Sequence, residues 1–323
     1  MSDIKNEFAY SWSRADAFYQ CPRRFYWQHY GSWNGWEDDA PANARLAYRL
    51  KHIQSLAMLI GEIFHAVVGR ALRERPERPS SVPAAALHDS AERIFYEQLA
   101  ASRAKSWRTN PKYNANLFED YYSGGLTARE SQEGLVALHK CIDGFAADGF
   151  GRRAFGVERA RLKMIDDPAN FDQKRALIEG VIVYAPPDLV VEGKDGTSLH
   201  IVDWKTGRHR DASVVQLAVY GLVVSELRGV PISRLSAHLV YVGHGQHDEC
   251  AQLSSGIEEA KRKIDAFVHD VQERLTDVER NVAGDIERFP MTTSVFKCRS
   301  CKFRELCGRT GDPPLAPDED LAS

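Results

Sequence analysis

Between Leu56 and Leu72 the apolar residues Leu56, Leu59, Ile60, Ile63, Phe64, Val67, Val68, Ala71 and Leu72 recur at intervals of three and four. That spacing predicts an amphipathic helix, with His65 inside it. Ala84 to Ala101 and Ser131 to Phe145 predict further helices, and the turn-rich, aromatic stretch WRTNPKYNANLFEDYYSGG lies between them. Residues from about 75 to 150 therefore read as a helical insertion. Beyond it the period changes. Gly156 to Met164, Ala176 to Tyr184, Leu189 to Glu192 and Leu199 to Trp204 are short, β-branched or alternating segments bounded by turn signals such as Asp195-Gly196, and they read as paired strands. Val214 to Leu227 predicts a helix, Leu235 to Val242 a strand, and Ser255 to Val278 a long helix with Ser255 and Glu258 as its capping box. Near the start, Ser13 followed by Asp16 predicts a helix cap. Pro22 suits the first turn of a second helix, so Cys21 falls at the junction of two helices. The tail after Gly308 is acidic and rich in proline, which predicts disorder for 309–323.

The chain has 323 residues, of which 43% are apolar and 27% charged, a composition that excludes collagenous, disulfide-dense and wholly disordered classes. No apolar run is long enough for a membrane span, and MSDIKNEFAYSWSR lacks the apolar core of a secretory signal, so a cytoplasmic protein is expected. The formal charge of -3 rules out a surface basic all over but leaves room for a local basic groove.

The segment PDLVVEGKDGTSLHIVDWKTG, from Pro187 to Gly207, carries the chemistry. Residues two apart on a strand face the same way, so Asp203 and Lys205 share one face while Val202 and Trp204 share the other. A hairpin through Asp195-Gly196 brings Asp188 toward Asp203. Two carboxylates held together repel unless a cation neutralises them, and hard oxygen ligands suit Mg²⁺ or Mn²⁺. An ion there lowers the pKa of a bound water and an ammonium orients it, which is the logic of phosphodiester hydrolysis.

This segment resembles the PD-(D/E)XK nuclease core, with Pro187-Asp188 as its first half and Asp203-Trp204-Lys205 as its second. The flanking residues are similar to the RecB-like branch: Gly61 and His65 match its Gly-x-x-x-His helix, Gln216 and Tyr220 its Gln-x-x-x-Tyr helix. The resemblance implies an α/β fold in which helices flank a mixed central sheet, a restriction-endonuclease-like core. It implies metal ligation by His65, Asp188 and Asp203, with the Trp204 carbonyl as a further ligand. Lys205 is implied to position the water, and Gln216 and Tyr220 to hold the strand or the lysine. Related sequences often place the first acid directly after a Gly-x-Ile strand, where this chain has Gly180-Val181-Ile182-Val183, so Glu179 stays open beside Asp188. Glu158 is read as an exposed strand residue rather than a supporting carboxylate.

Cys298-x-x-Cys301, followed after five intervening residues by Cys307, is too compact for a disulfide framework and reads as metal or cluster ligation. Cys21 in CPRRF is the candidate fourth thiolate. A tetrahedral zinc site and a 4Fe-4S cubane both fit four thiolates. One upstream cysteine joined to a C-terminal triplet resembles the iron-sulfur nucleases of the same branch, including the CRISPR adaptation exonucleases and the AddB subunit of a helicase-nuclease. That likeness implies the cluster, as a structural staple between the chain ends. Cys141 and Cys250 read as ordinary thiols.

Arg23 and Arg24 beside Phe25, Tyr26 and Trp27 suit either phosphate contacts with stacking or plain helix packing with solvated arginines, Phe25 and Tyr26 reading as core, and Arg208, His209 and Arg210 add positive charge after the lysine. Residues 11–308 are thus expected to form one RecB-like nuclease domain. Its function is expected to be metal-dependent cleavage of DNA, as an exonuclease on single strands or duplex ends, in repair, recombination or phage defence. The alternative is a non-cutting DNA-end binder, or a subunit dependent on a helicase, CRISPR or defence partner. The chain has no Walker A sequence, so any ATP-driven unwinding belongs to a partner.

Overall fold

The computed structural model describes residues 5–77, 81–167, 174–208, 214–250 and 253–309, and every structural statement below concerns these. His209, Arg210, the Cys250 side chain and the tail beyond 309 lie outside them.

Tyr10 forms a backbone bridge to Val183, and helix α1 (Trp12–Gln20) begins as soon as the chain leaves that bridge. Its cap is Ser11, whose Oγ accepts the Arg14 N–H at 3.2 Å, rather than the expected Ser13. Pro22 opens α2 (Pro22–Tyr26) at its first position, where a missing N–H costs nothing, and Cys21 sits at the junction as expected. Next come α3 (Ala42–Lys51), β1 (Ile53–Gln54) and α4 (Leu56–Glu74). The middle of the chain supplies α5 (Ala84–Arg103), β2 (Asn116–Leu117), α6 (Phe118–Tyr122), α7 (Ala128–Ala147) and α8 (Gly149–Gly156). A Thr127–Glu130 capping box starts α7, and β2 pairs in parallel with β1.

Six strands follow: β3 (Leu162–Ile165), β4 (Arg175–Ile178), β5 (Val181–Tyr184), β6 (Leu189–Glu192), β7 (Leu199–Lys205) and, after α9 (Val214–Arg228), β8 (Leu235–Tyr241). Then come β9 (Gln246–Cys250), α10 (Ser254–Gln272), β10 (Leu275–Asp277), β11 (Val282–Ala283) and α11 (Val295–Arg299). Two of the expected strands differ. Of Gly156–Met164 only Leu162–Met164 is strand, because Asp148 caps α8, the helix runs to Gly156, and a 3₁₀ turn occupies Arg159–Arg161. Ala176–Tyr184 is a hairpin, turned at Glu179 (φ 48°) and Gly180 (φ 83°), the left-handed pair that a two-residue turn demands.

The central sheet has strand order β3-β6-β7-β8-β9, parallel between β7 and β8 and antiparallel elsewhere. Helix α9 makes the crossover that a parallel pair requires. One sheet face, with Val191, Val202, Trp204 and Val240, packs on Phe64, Leu138 and Phe145 of α4 and α7. The other, with Val190, Ile201, Ala237 and Leu239, packs on Leu217 and Val224 of α9. The fold is therefore a mixed α/β sandwich with the sheet between helices. Phe95 and Leu99 of α5 join the same core as α4 and α7, so the middle helices complete the sheet's covering layer.

Candidate active site and cysteine cavity

Register does the first part of the work. Leu189 pairs with Val202, so the next rung sets Asp188 against Asp203 at the end of the hairpin. The Trp204 N–H donates to Asp188 Oδ2 at 2.7 Å, fixing that carboxylate to the neighbouring strand. Helix α4 comes down over the same corner. A Cβ at Gly61 would lie 3.1 Å from Thr206 Oγ1, so a small residue lets the helix approach, and His65 one turn later faces Asp188 Oδ1 at 2.8 Å through Nδ1. On the other side of the sheet, Lys205 Nζ lies 2.5 Å from Asp203 Oδ2, and the Tyr220 hydroxyl of α9 donates to that oxygen at 2.9 Å. Gln216 stands one turn before Tyr220 on α9, partly buried.

Four chain segments thus bring His65, Asp188, Asp203, Lys205 and Tyr220 together. Asp203 is only 6% exposed. Burial, reinforced by the Asp188 charge, raises its pKa against the pull of Lys205 and Tyr220. Burial pushes Asp188 the same way, but His65, the Trp204 N–H and Lys205 outweigh it and hold that carboxyl below its ordinary value. Burial disfavours charge on His65 and on Lys205. In each the facing carboxylate wins and the pKa rises, by Asp188 for the imidazole and by Asp203 for the ammonium. Burial first, then Asp203, drives the Tyr220 phenol well above its usual value, keeping it a neutral donor.

The expected alternative Glu179 stands elsewhere. It sits at the turn of the β4–β5 hairpin and pairs with Lys261 of α10 at 2.6 Å. Glu158 is exposed, as expected, but precedes a 3₁₀ turn instead of starting a strand.

The chain ends meet at a second site. Cys21, Cys298, Cys301 and Cys307 all line one cavity of about 80 Å³, together with Arg24 and Arg304. Burial raises the thiol pKa of Cys301 and pushes that of Cys307 up to about 11, with the neighbouring cysteines adding to both. The Thr292 N–H points at Cys21 Sγ at 3.4 Å. Cys141 is buried in the main core. Arg23, expected at a phosphate, is 7% exposed, and its guanidinium donates to the Phe289 carbonyl at 2.8 Å and to Glu287 at 3.1 Å. Arg208 is exposed just beyond β7. Among the described residues no three His, Cys, Asp or Glu side chains gather at the spacing of a metal-ion site.

The model of the PD-(D/E)XK nuclease superfamily matches residues 9–308. The chain belongs to this superfamily. No curated protein matches the sequence. Nucleases of the PD-(D/E)XK superfamily act with divalent ions such as Mg²⁺ or Mn²⁺. The chemistry of the donors suits such an ion, two carboxylates on adjacent strands and one imidazole: burial, with the Asp188 charge adding to it, disfavours the negative charge on Asp203, and a cation offsets both. No helix among the described residues is long and apolar enough to cross a membrane.

Sequence reasoning missed the peptide N–H of Trp204 and the position of Tyr241, which pairs across the parallel ladder with Lys205. Both follow from strand register, which no spacing rule within one segment reveals.

Proposed function

We propose that this chain is a metal-dependent deoxyribonuclease of the RecB-like kind, working in the cytoplasm as an exonuclease on single strands or duplex ends. The observation that carries the reading is the meeting of Asp188, Asp203 and Lys205 at one corner of the sheet, with His65 and Tyr220 closing it from opposite faces. In this reading His65, Asp188 and Asp203 hold the ion, which supplies Lewis acidity and an acidified water. Lys205 orients the attacking water through its ammonium. Tyr220 keeps Asp203 aimed, and Gln216, one turn away on the same helix, has the part of holding the incoming strand.

A 4Fe-4S cluster held by Cys21, Cys298, Cys301 and Cys307 belongs to the same reading. What supports it is the donor set, four cysteines from the two chain ends lining one cavity, together with the likeness of their spacing to the iron-sulfur nucleases. Its part here is to join the ends of the domain.

The test is incubation of anaerobically purified protein with end-labelled single-stranded and duplex DNA in Mn²⁺, Mg²⁺ or EDTA, beside Lys205→Ala. Metal-dependent cutting that falls at least about a hundredfold in the variant is expected, with a ladder shortening from one end. Intact protein that binds DNA and never cuts it would sink the nuclease reading in favour of an end-binding or partner-dependent subunit.

A further inference from the structure

Between the middle helices and the cysteine-bearing segment lies a second, larger cleft of about 290 Å³, lined by Lys51, His52, Glu62, Lys112, Tyr113 and Lys302 among others. These residues come from four separate stretches: the end of α3, the outer face of α4, the loop before β2 and the turn after Cys301. Three lysines and a single carboxylate, Glu62, are among the residues that line the cleft. Lys302 Nζ donates to the Lys51 carbonyl, which tethers it without neutralising it. His52 Nε2 is buried with no hydrogen-bond partner among the described residues. Tyr113 is 68% exposed, with Lys112 Nζ 5.5 Å from its ring centre, so an apolar plane stands beside a cation at the mouth of the cleft.

The electrostatics agree. Burial, then the charges of Arg14 and Lys112, lowers the Lys51 pKa. Burial and all three lysines together bring His52 down to about 4. These are cations crowded together, and an anion placed among them relieves the crowding.

Position relates the cleft to the site above. Glu62 lines the cleft and His65, three residues later, faces Asp188, so the two sites share one helix. From Met58, at the cleft, to His65 is roughly 10 Å along the axis at about 1.5 Å per residue. A cleft of about 290 Å³ has room for a nucleotide-sized group.

We propose that this cleft is a phosphodiester-binding subsite for single-stranded DNA, in which Lys51, Lys112 and Lys302 hold the backbone of the strand and Tyr113 stacks on a base. The subsite rests on the nuclease reading of the neighbouring corner and adds the path of the strand: along α4, between the middle helices and the cysteine segment. Phosphate contacts set the register of the strand and stacking tolerates any base, so binding here is independent of sequence.

The test separates this subsite from the cutting chemistry by measuring binding alone. A fluorescein-labelled oligothymidylate is titrated with the full chain in EDTA, over a range of KCl concentrations, for the parent, Lys112→Ala and Tyr113→Ala. Lys112→Ala is expected to weaken binding about fivefold and to reduce the salt slope by about 1. Tyr113→Ala is expected to weaken it about tenfold at unchanged slope. Parent-like affinity and slope in both variants would overturn the subsite. So would a parent that binds no single strand, or one that binds an oligouridylate more tightly. A parent that binds as expected and never cuts DNA would remove the nuclease reading and leave the subsite standing.

Discussion

Asp203 carries two partners on one oxygen: Lys205 and the Tyr220 hydroxyl both reach Oδ2, and the residue is almost wholly buried. Tyr220→Phe deletes one hydrogen bond to a carboxylate and nothing else. It is expected to cost about 1.5–3 kcal/mol in melting or denaturant titrations and to slow cutting, with nuclease assays separating the two effects. Asp203→Ala is expected to abolish cutting while DNA binding stays within a few-fold, and proportional loss of binding would show that the corner serves only to hold nucleic acid. The asymmetry between the carboxyls has a physical origin. Asp188 has an imidazole and a peptide N–H to stabilise its charge, whereas Asp203 has one ammonium and a neutral phenol in a drier place.

At the level of elements, the β7–β8–β9 ladder carries a row of histidines. His238 is 2% exposed, with Nε2 3.0 Å from His200 Nδ1 and Nδ1 3.1 Å from His247 Nε2. Phe150 lies against it at 4.4 Å between ring centres. Burial, then His200 and His247, lowers its pKa to about 3, so the folded chain keeps this ring neutral while the unfolded chain protonates it near 6.5. Stability from this group is complete above pH 6.5 and declines as pH falls toward 3, by about 1.4 kcal/mol per pH unit. Denaturant titrations at successive pH values are expected to show that decline, and His238→Gln to flatten it. The elements that sequence revealed well are those whose signal is local. The α4 stripe, the β6–β7 hairpin with its Asp195-Gly196 turn, and Pro22 at a helix start each carry their own instructions. The misplaced boundaries depend on partners elsewhere. Ser11 caps α1 because Tyr10 is held by Val183. Leu253, buried against Gly221, brings the start of α10 to Ser254, so Ser255 lies inside the helix and not at its cap. The same helix stops at Gln272, short of the expected Val278, because the chain turns into the β10–β11 pair. In the candidate site, strand alternation and the hairpin turn point to Asp188, Asp203 and Lys205, while His65 and Tyr220 are expected only through the resemblance to the nuclease core. Burial of Arg23 and the pairing of Glu179 with Lys261 were not legible, since both depend on residues more than 80 positions away.

Across the whole molecule, the two ends of the described chain are fastened to each other and to the middle. Arg23 grips Phe289, and the Tyr122 hydroxyl of α6 donates to the Lys302 carbonyl at 2.9 Å while Arg304 lies 3.9 Å over the Tyr122 ring. If a cluster joins the four cysteines, Cys301→Ser is expected to remove its visible absorbance and lower the melting temperature by several degrees. An unchanged spectrum and melting curve would take the cluster out of the account. The aromatic rings of Phe18 and Phe25 make edge contacts with Phe267 of α10, at 5.8 Å each. On a ribosome those two rings emerge about 240 residues before the partner they pack against. At about 5–20 residues per second, that is a wait of roughly 12–50 s. During it the first helices present bare aromatic surface, a natural client for chaperones. A message broken anywhere before the codon for Phe267 yields a product that never hides it.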